Sequence, residues 1–103
     1  MSANVNGKLV RDNIPALIES QGEVAATRIL TDSEYAFELR HKLEEEVEEY
    51  LMAESREELA DILEVIRAIV ADKGWSMEEI ERIRLAKRAE RGGFDARLYL
   101  VGT

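Results

Sequence analysis

The fold of this chain is set by residues 32–53, which read DSEYAFELRHKLEEEVEEYLMA. At about 100° per residue, a helix over this segment gathers apolar side chains into one stripe, as a core-facing helix does. The stripe consists of Leu39, Leu43, Val47 and Tyr50. Thr31 precedes the segment and Glu34 lies three residues farther on, which is the capping-box pattern of a helix start. The sequence therefore predicts a long helix from about Asp32 to Ala53.

Two further capping boxes predict two more long helices. They are Ser55 with Glu58, and Ser76 with Glu79. The corresponding helices would run from about Arg56 to Lys73 and from about Met77 to Arg91. Glycine is the usual residue just beyond a helix end, so Gly74 and the pair Gly92-Gly93 mark the two stops.

The beginning of the chain predicts a shorter helix. Asp12 or Asn13 can cap it, Pro15 falls in its first turn, and Gly22 ends it. Short β-prone segments are also present, namely residues 26–30, and 98–101 with 8–10 as their partner. We therefore expect a mainly all-α fold of four helices in a single domain over residues 1–103, with short terminal strands added to it.

The composition excludes several classes of function. Lys and Arg number 14 against 22 Asp and Glu, and the net charge of −8 repels nucleic-acid phosphates and anionic membranes. Without Cys, and with a single His, the chain has no disulfide framework, no thiolate nucleophile and no ordinary zinc site. Neither a signal-peptide pattern nor an apolar run of about 20 residues is present. We expect a soluble, cytoplasmic protein whose partners include no nucleic-acid polymer and no membrane.

The acidic residues of the second helix fall into two groups. Glu46 lies within the apolar stripe, and Glu45 and Glu49 lie on its flank. Glu44 and Glu48 point to the opposite side, so we expect these two to be solvated.

The third helix also directs carboxylates along its apolar side. Its apolar arc consists of Leu59, Ile62, Leu63, Ile66, Ile69 and Val70. Glu58 projects between Val65 and Ile69, and Asp61 lies just off that edge. Glu57 and Glu64 face outward.

Carboxylates in an apolar setting need a cation or must bind protons. Carboxylate oxygens without Cys or His favour a hard ion such as Mg²⁺ or Mn²⁺, and residues three apart on a helix can share one ligand. The two pairs with this spacing are Glu46 with Glu49, and Glu58 with Asp61. Neighbouring antiparallel helices could close such pairs around one or two ions. The lack of a D-x-D-x-D-G loop excludes an EF-hand.

A purely structural interpretation explains the same residues about equally well on spacing alone. Acidic runs on helices are usually solvated faces. Glu58 belongs to the Ser55 capping box, and Asp61 is near a helix start, where acids suit the helix dipole. The metal interpretation is favoured because two helices independently place carboxylates along their apolar arcs.

The fourth helix turns from apolar to basic along one face. Ile80 and Ile83 begin a stripe that continues through Lys87 and Arg91. Basic residues complement any helix C-terminus, which is the structural explanation. The functional explanation is a phosphate-binding end, completed by the close backbone approach that Gly92-Gly93 allows.

The acidic pattern resembles that of a known enzyme family. Glu45-Glu46-x-x-Glu49 followed by Glu58-x-x-Asp61 is similar to the EExxE…ExxD signature of the MazG-like all-α nucleoside triphosphate pyrophosphohydrolases, relatives of phosphoribosyl-ATP pyrophosphohydrolase and dimeric dUTPases. KLVRDNIP at 8–15 and KRAERGGF at 87–94 resemble the opening and closing blocks of a short branch. The resemblance spans about residues 7–97. A register of Glu45 with Glu48 is also open, although the helical wheel favours Glu46 with Glu49.

The resemblance implies a four-helix bundle that assembles as a homodimer or homotetramer. It also implies Mg²⁺-dependent hydrolysis of a nucleoside triphosphate, or a related nucleotide such as phosphoribosyl-ATP, to the monophosphate and pyrophosphate. Removal of non-standard nucleotides would be one use of this activity. The metal ligands would be Glu46, Glu49, Glu58 and Asp61. Glu45 would be a further ligand or the base that orients the attacking water. The substrate-binding residues would be Lys8, Arg11, Asp12, Lys87 and Arg91.

Two alternatives from other classes remain open. The first is a nucleotide-binding or sensing domain that keeps the metal site but has negligible turnover. The second is a helical oligomerisation module in which the acidic stripe forms a polar contact between subunits.

Overall fold

The computed structural model describes residues 7–103, and this part of the chain is all-α, with four helices and no strand. The helices are α1 (Ile14–Ser20), α2 (Asp32–Ala53), α3 (Arg56–Asp72) and α4 (Met77–Arg91). The chain divides into two compact units, one ending at Ile69 and the other beginning at Val70. No helix within residues 7–103 is long and apolar enough to cross a membrane.

The predicted capping boxes position the starts of α2 and α4. The Glu34 N–H donates to the Thr31 hydroxyl and the Thr31 N–H donates to the Glu34 carboxylate, at 3.3 and 2.9 Å. Ser76 and Glu79 form the same pair of bonds at α4. Because these bonds satisfy otherwise orphaned N–H groups, both helices start at the predicted residues. At α3 the Ser55 hydroxyl donates instead to the Glu58 carboxylate.

Two of the predicted glycine stops show why glycine stands there. Gly22 and Gly74 have φ of 87° and 78°, in the left-handed region where a Cβ would be strained. At the end of α3, the Trp75 N–H donates to the Val70 carbonyl and the Gly74 N–H to the Ala71 carbonyl. This is the Schellman arrangement, and it ends α3 at Asp72, one residue earlier than predicted.

The predicted strands are wrong. Residues 8–10, 26–30 and 98–101 form no strand, and side chains such as Ile29 and Leu98 are almost fully exposed. A β-prone segment becomes a strand only when a second segment supplies hydrogen-bond partners, and no two extended segments pair within residues 7–103. The short predicted segments had no such partner.

The first unit packs α3 on a different side from the one predicted. Leu39 of α2 and Val65 of α3 are buried, and Ile62 and Ile66 are half-buried. Leu59 and Leu63, which belong to the predicted apolar arc, are exposed, whereas Glu58 and Asp61 are half-buried. The buried side of α3 is therefore rotated toward its two acidic residues. Leu59 and Leu63 form an edge that faces outward, which we call the leucine edge.

Candidate metal centre

Three glutamates of α2 converge in the first unit. Glu45, Glu46 and Glu49 each offer a carboxylate oxygen, and these oxygens lie within 4.8 Å of one another. The spacing explains the cluster, because residues three and four apart on a helix are surface neighbours. Glu48 is exposed and stands outside the cluster, as does Glu44, so the register of Glu46 with Glu49 is the one that gathers carboxylates. We call Glu45, Glu46 and Glu49 the glutamate cluster.

Glu46 is the buried member of the cluster. It is 7% exposed, and its Oε1 has no hydrogen-bond partner. A buried polar oxygen without a partner loses its hydration and gains nothing in return. Burial raises the pKa of the Glu46 carboxyl, and the negative charges of Glu49 and Asp61 raise it further. The arrangement thus lacks positive charge at Glu46.

Lys42 supplies part of that charge, and the sequence argument missed it. Its Nζ lies 2.8 Å from Glu45 Oε1 and 3.5 Å from Glu46 Oε2. Partial burial lowers the pKa of Lys42, but the hydrogen bond to Glu45 and the charges of Glu45 and Glu46 outweigh this effect and raise it. The signal was present in the sequence, because Lys42 stands three and four residues before these glutamates on one helix.

Glu45 stays ionised in this environment. The hydrogen bond from Lys42 lowers the pKa of its carboxyl, and the charges of Lys42 and Lys8 contribute in the same direction. A general base for neutral pH needs a pKa near 7, whereas a metal ligand needs to be deprotonated. The lowered pKa therefore suits Glu45 as a ligand better than as a base.

The third helix brings Asp61 close to the glutamate cluster. Its negative charge acts on Glu46, but its Oδ1 also accepts a hydrogen bond from Arg11 Nη2 at 2.6 Å. Glu58 is half-buried and its carboxylate accepts from the Ser55 hydroxyl. Of the four predicted ligands, Glu46 and Glu49 are thus grouped, while Asp61 and Glu58 have partners from the protein itself.

The predicted substrate-binding residues lie in two places. Lys8, Arg11 and Asp12 are exposed in the first unit. There Arg11 forms an ion pair with Asp61, and the positive charge of Lys8 helps to lower the pKa of Glu45. Lys87 and Arg91 belong to the second unit.

The basic end of α4 faces solvent. Lys87 is exposed, and the Arg91 side chain is 72% exposed, with its Nε 3.5 Å from Glu90. A Cβ at Gly93 would collide with the guanidinium of Arg88. The space left by the missing side chain is therefore filled by Arg88 of the protein itself.

Comparison with known proteins assigns no activity to this arrangement. No protein-family model and no solved structure matches the chain. An uncharacterized protein of Mycolicibacterium smegmatis is 46% identical over 50 residues, which are 48% of this chain and 51% of that protein. The chain thus spans about half the length of this relative.

Proposed function

We propose that this chain is a Mg²⁺-dependent pyrophosphohydrolase that converts a nucleoside triphosphate, or a related nucleotide such as phosphoribosyl-ATP, to the monophosphate and pyrophosphate. The observation that carries the proposal is Glu46, buried beside Glu45 and Glu49 with one oxygen unpartnered. The resemblance to the MazG-like enzymes supplies the reaction. Mn²⁺ is the alternative ion, since both prefer carboxylate oxygen.

The donor set fits a hard divalent cation. Three carboxylate oxygens within 4.8 Å of one another carry more negative charge than one lysine neutralises. When bound, Mg²⁺ would offset the charge of the triphosphate and lower the pKa of a coordinated water. Glu45, Glu46 and Glu49 would hold the ion, and from α3 the charge of Asp61 acts on Glu46.

In the proposed reaction a water oxygen attacks the α-phosphorus. The bond from this phosphorus to the bridging oxygen breaks, pyrophosphate leaves, and the proton of the water passes to solvent. Lys8 and Arg11 are exposed cations in the same unit as the glutamate cluster, which suits them to a polyphosphate. Lys87, Arg91 and Asp12 complete the proposed substrate-binding set.

The proposal includes a symmetric homodimer or a dimer of dimers in the cytoplasm. Leu59 and Leu63 are exposed one turn apart on α3, Leu51 is exposed on α2, and exposed apolar patches commonly mark a protein interface. A second copy of the chain would cover them through a self-complementary contact.

A panel of canonical and damaged nucleoside triphosphates tests this function. The chain is incubated with each nucleotide and Mg²⁺, and released pyrophosphate is converted to phosphate and detected with malachite green. We expect product with Mg²⁺ and none with EDTA. Glu46→Gln should abolish product, whereas Glu48→Gln, an exposed neighbour on the same helix, should not. Nucleotide binding without product would indicate a sensing domain, and no binding of nucleotide or metal would indicate an oligomerisation module.

A further inference from the structure

The glutamate cluster already contains a cation that belongs to the protein. Lys42 Nζ contacts Glu45 Oε1 at 2.8 Å and Glu46 Oε2 at 3.5 Å. The Lys42 side chain is only 20% exposed, although lysine is normally a surface residue. The ammonium is thus held against the cluster by its stem as well as by its charge.

One ammonium does not satisfy the cluster. Glu46 Oε1 has no partner although the residue is 93% buried, and Glu49 adds a third carboxylate. A divalent ion would supply two charges where Lys42 supplies one. It would bind the same carboxylates of Glu45 and Glu46 that Lys42 contacts, and two cations in contact with the same carboxylates repel each other.

We propose that Lys42 is the resident counter-ion of the glutamate cluster, and that a divalent metal ion binds there by displacing its ammonium from Glu45 and Glu46. This inference rests on the proposed metal site. Lys42 then stabilises the metal-free protein, lowers its metal affinity, and is released toward solvent when the ion binds. The exchange of one cation for another keeps the buried carboxylate of Glu46 compensated in both states.

Lysine acetylation read by mass spectrometry tests the release in the wild-type protein. The chain has four lysines, Lys8, Lys42, Lys73 and Lys87, and the last of these, together with Lys73, serves as an internal control. The protein is treated briefly with N-hydroxysuccinimide acetate in an amine-free buffer, with EDTA or with saturating Mn²⁺. We expect Mn²⁺ to increase the labelling of Lys42 severalfold while Lys73 and Lys87 stay unchanged.

Calorimetric titration of Mn²⁺ into matched variants tests the competition. Lys42→Met keeps an apolar stem of similar length and removes the ammonium, so it should bind Mn²⁺ roughly threefold to tenfold more tightly, as expected for loss of one partly exposed ion pair. Lys8→Met removes the same charge from a different residue. The charge of Lys8 also lowers the pKa of Glu45, but Lys8 forms no ion pair with any residue that the structure describes. The Mn²⁺ affinity of this variant should change less than twofold by this argument. Circular dichroism confirms that both variants fold.

The outcomes separate this inference from the proposed function. Metal binding with unchanged labelling of Lys42, or with equal affinity gains in the two variants, would overturn the displacement and leave the metal site standing. A wild type that binds no Mn²⁺ while Lys42→Met does would support Lys42 as a dominant competitor. If neither protein binds Mn²⁺, both the metal site and the inference are wrong.

Discussion

In α2 the carboxylate residue Glu46 is buried while its apolar neighbour Val47 faces solvent, with exposures of 7% and 38%. Hydrophobic burial alone would favour the reverse. Adjacent residues lie about 100° apart around a helix, so both cannot face the same side, and in this fold the carboxylate is the one that is buried. This preference is costly without a cation, and the proposed metal site would offset that cost.

Mg²⁺ should stabilise the wild-type protein against heat and leave Glu46→Gln unaffected. A ligand at about 100 times its Kd adds about 2.7 kcal/mol to folding stability, which raises the Tm of a domain of this size by roughly 10–20 °C. The measurement is a thermal melt by circular dichroism with Mg²⁺ and with EDTA. Glu48→Gln is the control and should respond like the wild type. Equal stabilisation of Glu46→Gln would contradict the role given to Glu46.

The leucine edge of α3 should mediate self-association. We expect light scattering of the wild type to give at least twice the chain mass of 11.7 kDa. Leu63 is 58% exposed, and Leu63→Glu would place a charge in the interface, so this variant should shift toward the monomer. Thr27→Glu adds the same charge at an exposed position outside the helices and should leave the mass unchanged. A wild type that is monomeric at micromolar concentration would refute the dimer.

The start of α2 should weaken at low pH. Arg28 binds the Glu34 carboxylate through two nitrogens, each at 3.0 Å, and this hydrogen bonding lowers the pKa of Glu34 to about 2 from 4.5. A lowered carboxyl pKa means that the unfolded chain binds more protons, so the stabilisation is complete above about pH 4.5 and disappears as the pH falls toward 2.

Urea unfolding at several pH values checks this dependence. Glu34→Gln should be less stable than the wild type at pH 7, and the difference should shrink below pH 4.5. Thr31→Ala removes the non-titrating half of the cap and should cost about 1 kcal/mol with little pH dependence. If the difference in unfolding free energy between the wild type and Glu34→Gln stays constant down to pH 2, the lowered pKa of Glu34 is disproved.

Arg91→Ala should separate substrate binding from metal binding. If Arg91 contacts the polyphosphate, its loss lowers kcat/KM by about tenfold, the effect of one charged hydrogen bond, and leaves the calorimetric Mn²⁺ affinity unchanged. The matched control is Arg84→Ala, since Arg84 is also exposed on α4 and pairs with Glu81. Equal kinetics for wild type and Arg91→Ala would make Arg91 a helix-end charge only.

The sequence predicted the helices well because their signals are local. Capping boxes act within four residues, and they placed the starts of α2 and α4 correctly. The strands failed because pairing is a long-range property that residues 98–101 cannot encode alone. The rotation of α3 was also missed, since a helical wheel weights Leu59 and Leu63 as core residues from their apolar character alone.

The candidate site was predictable to the same extent. Spacing on one helix identified Glu45, Glu46 and Glu49 as neighbours, because their geometry is fixed by the helix itself. The partners of Asp61 and Glu58 involve side-chain conformations and, for Asp61, a residue fifty positions away. Lys42 follows the same spacing rule, since it lies three and four residues before Glu45 and Glu46 on α2.

The exposed C-terminal segment has a consequence for the behaviour of the protein in solution. Residues 98–101 read LYLV, their side chains are largely uncovered, and no neighbouring strand pairs with them within residues 7–103. Such a segment is a ready template for cross-strand aggregation. The net charge of −8 opposes this by keeping molecules apart, but only over the Debye length, which is about 10 Å at 0.1 M salt. Colloidal stability therefore depends on ionic strength, and the protein keeps best in dilute buffer well above its isoelectric point of about 4.7.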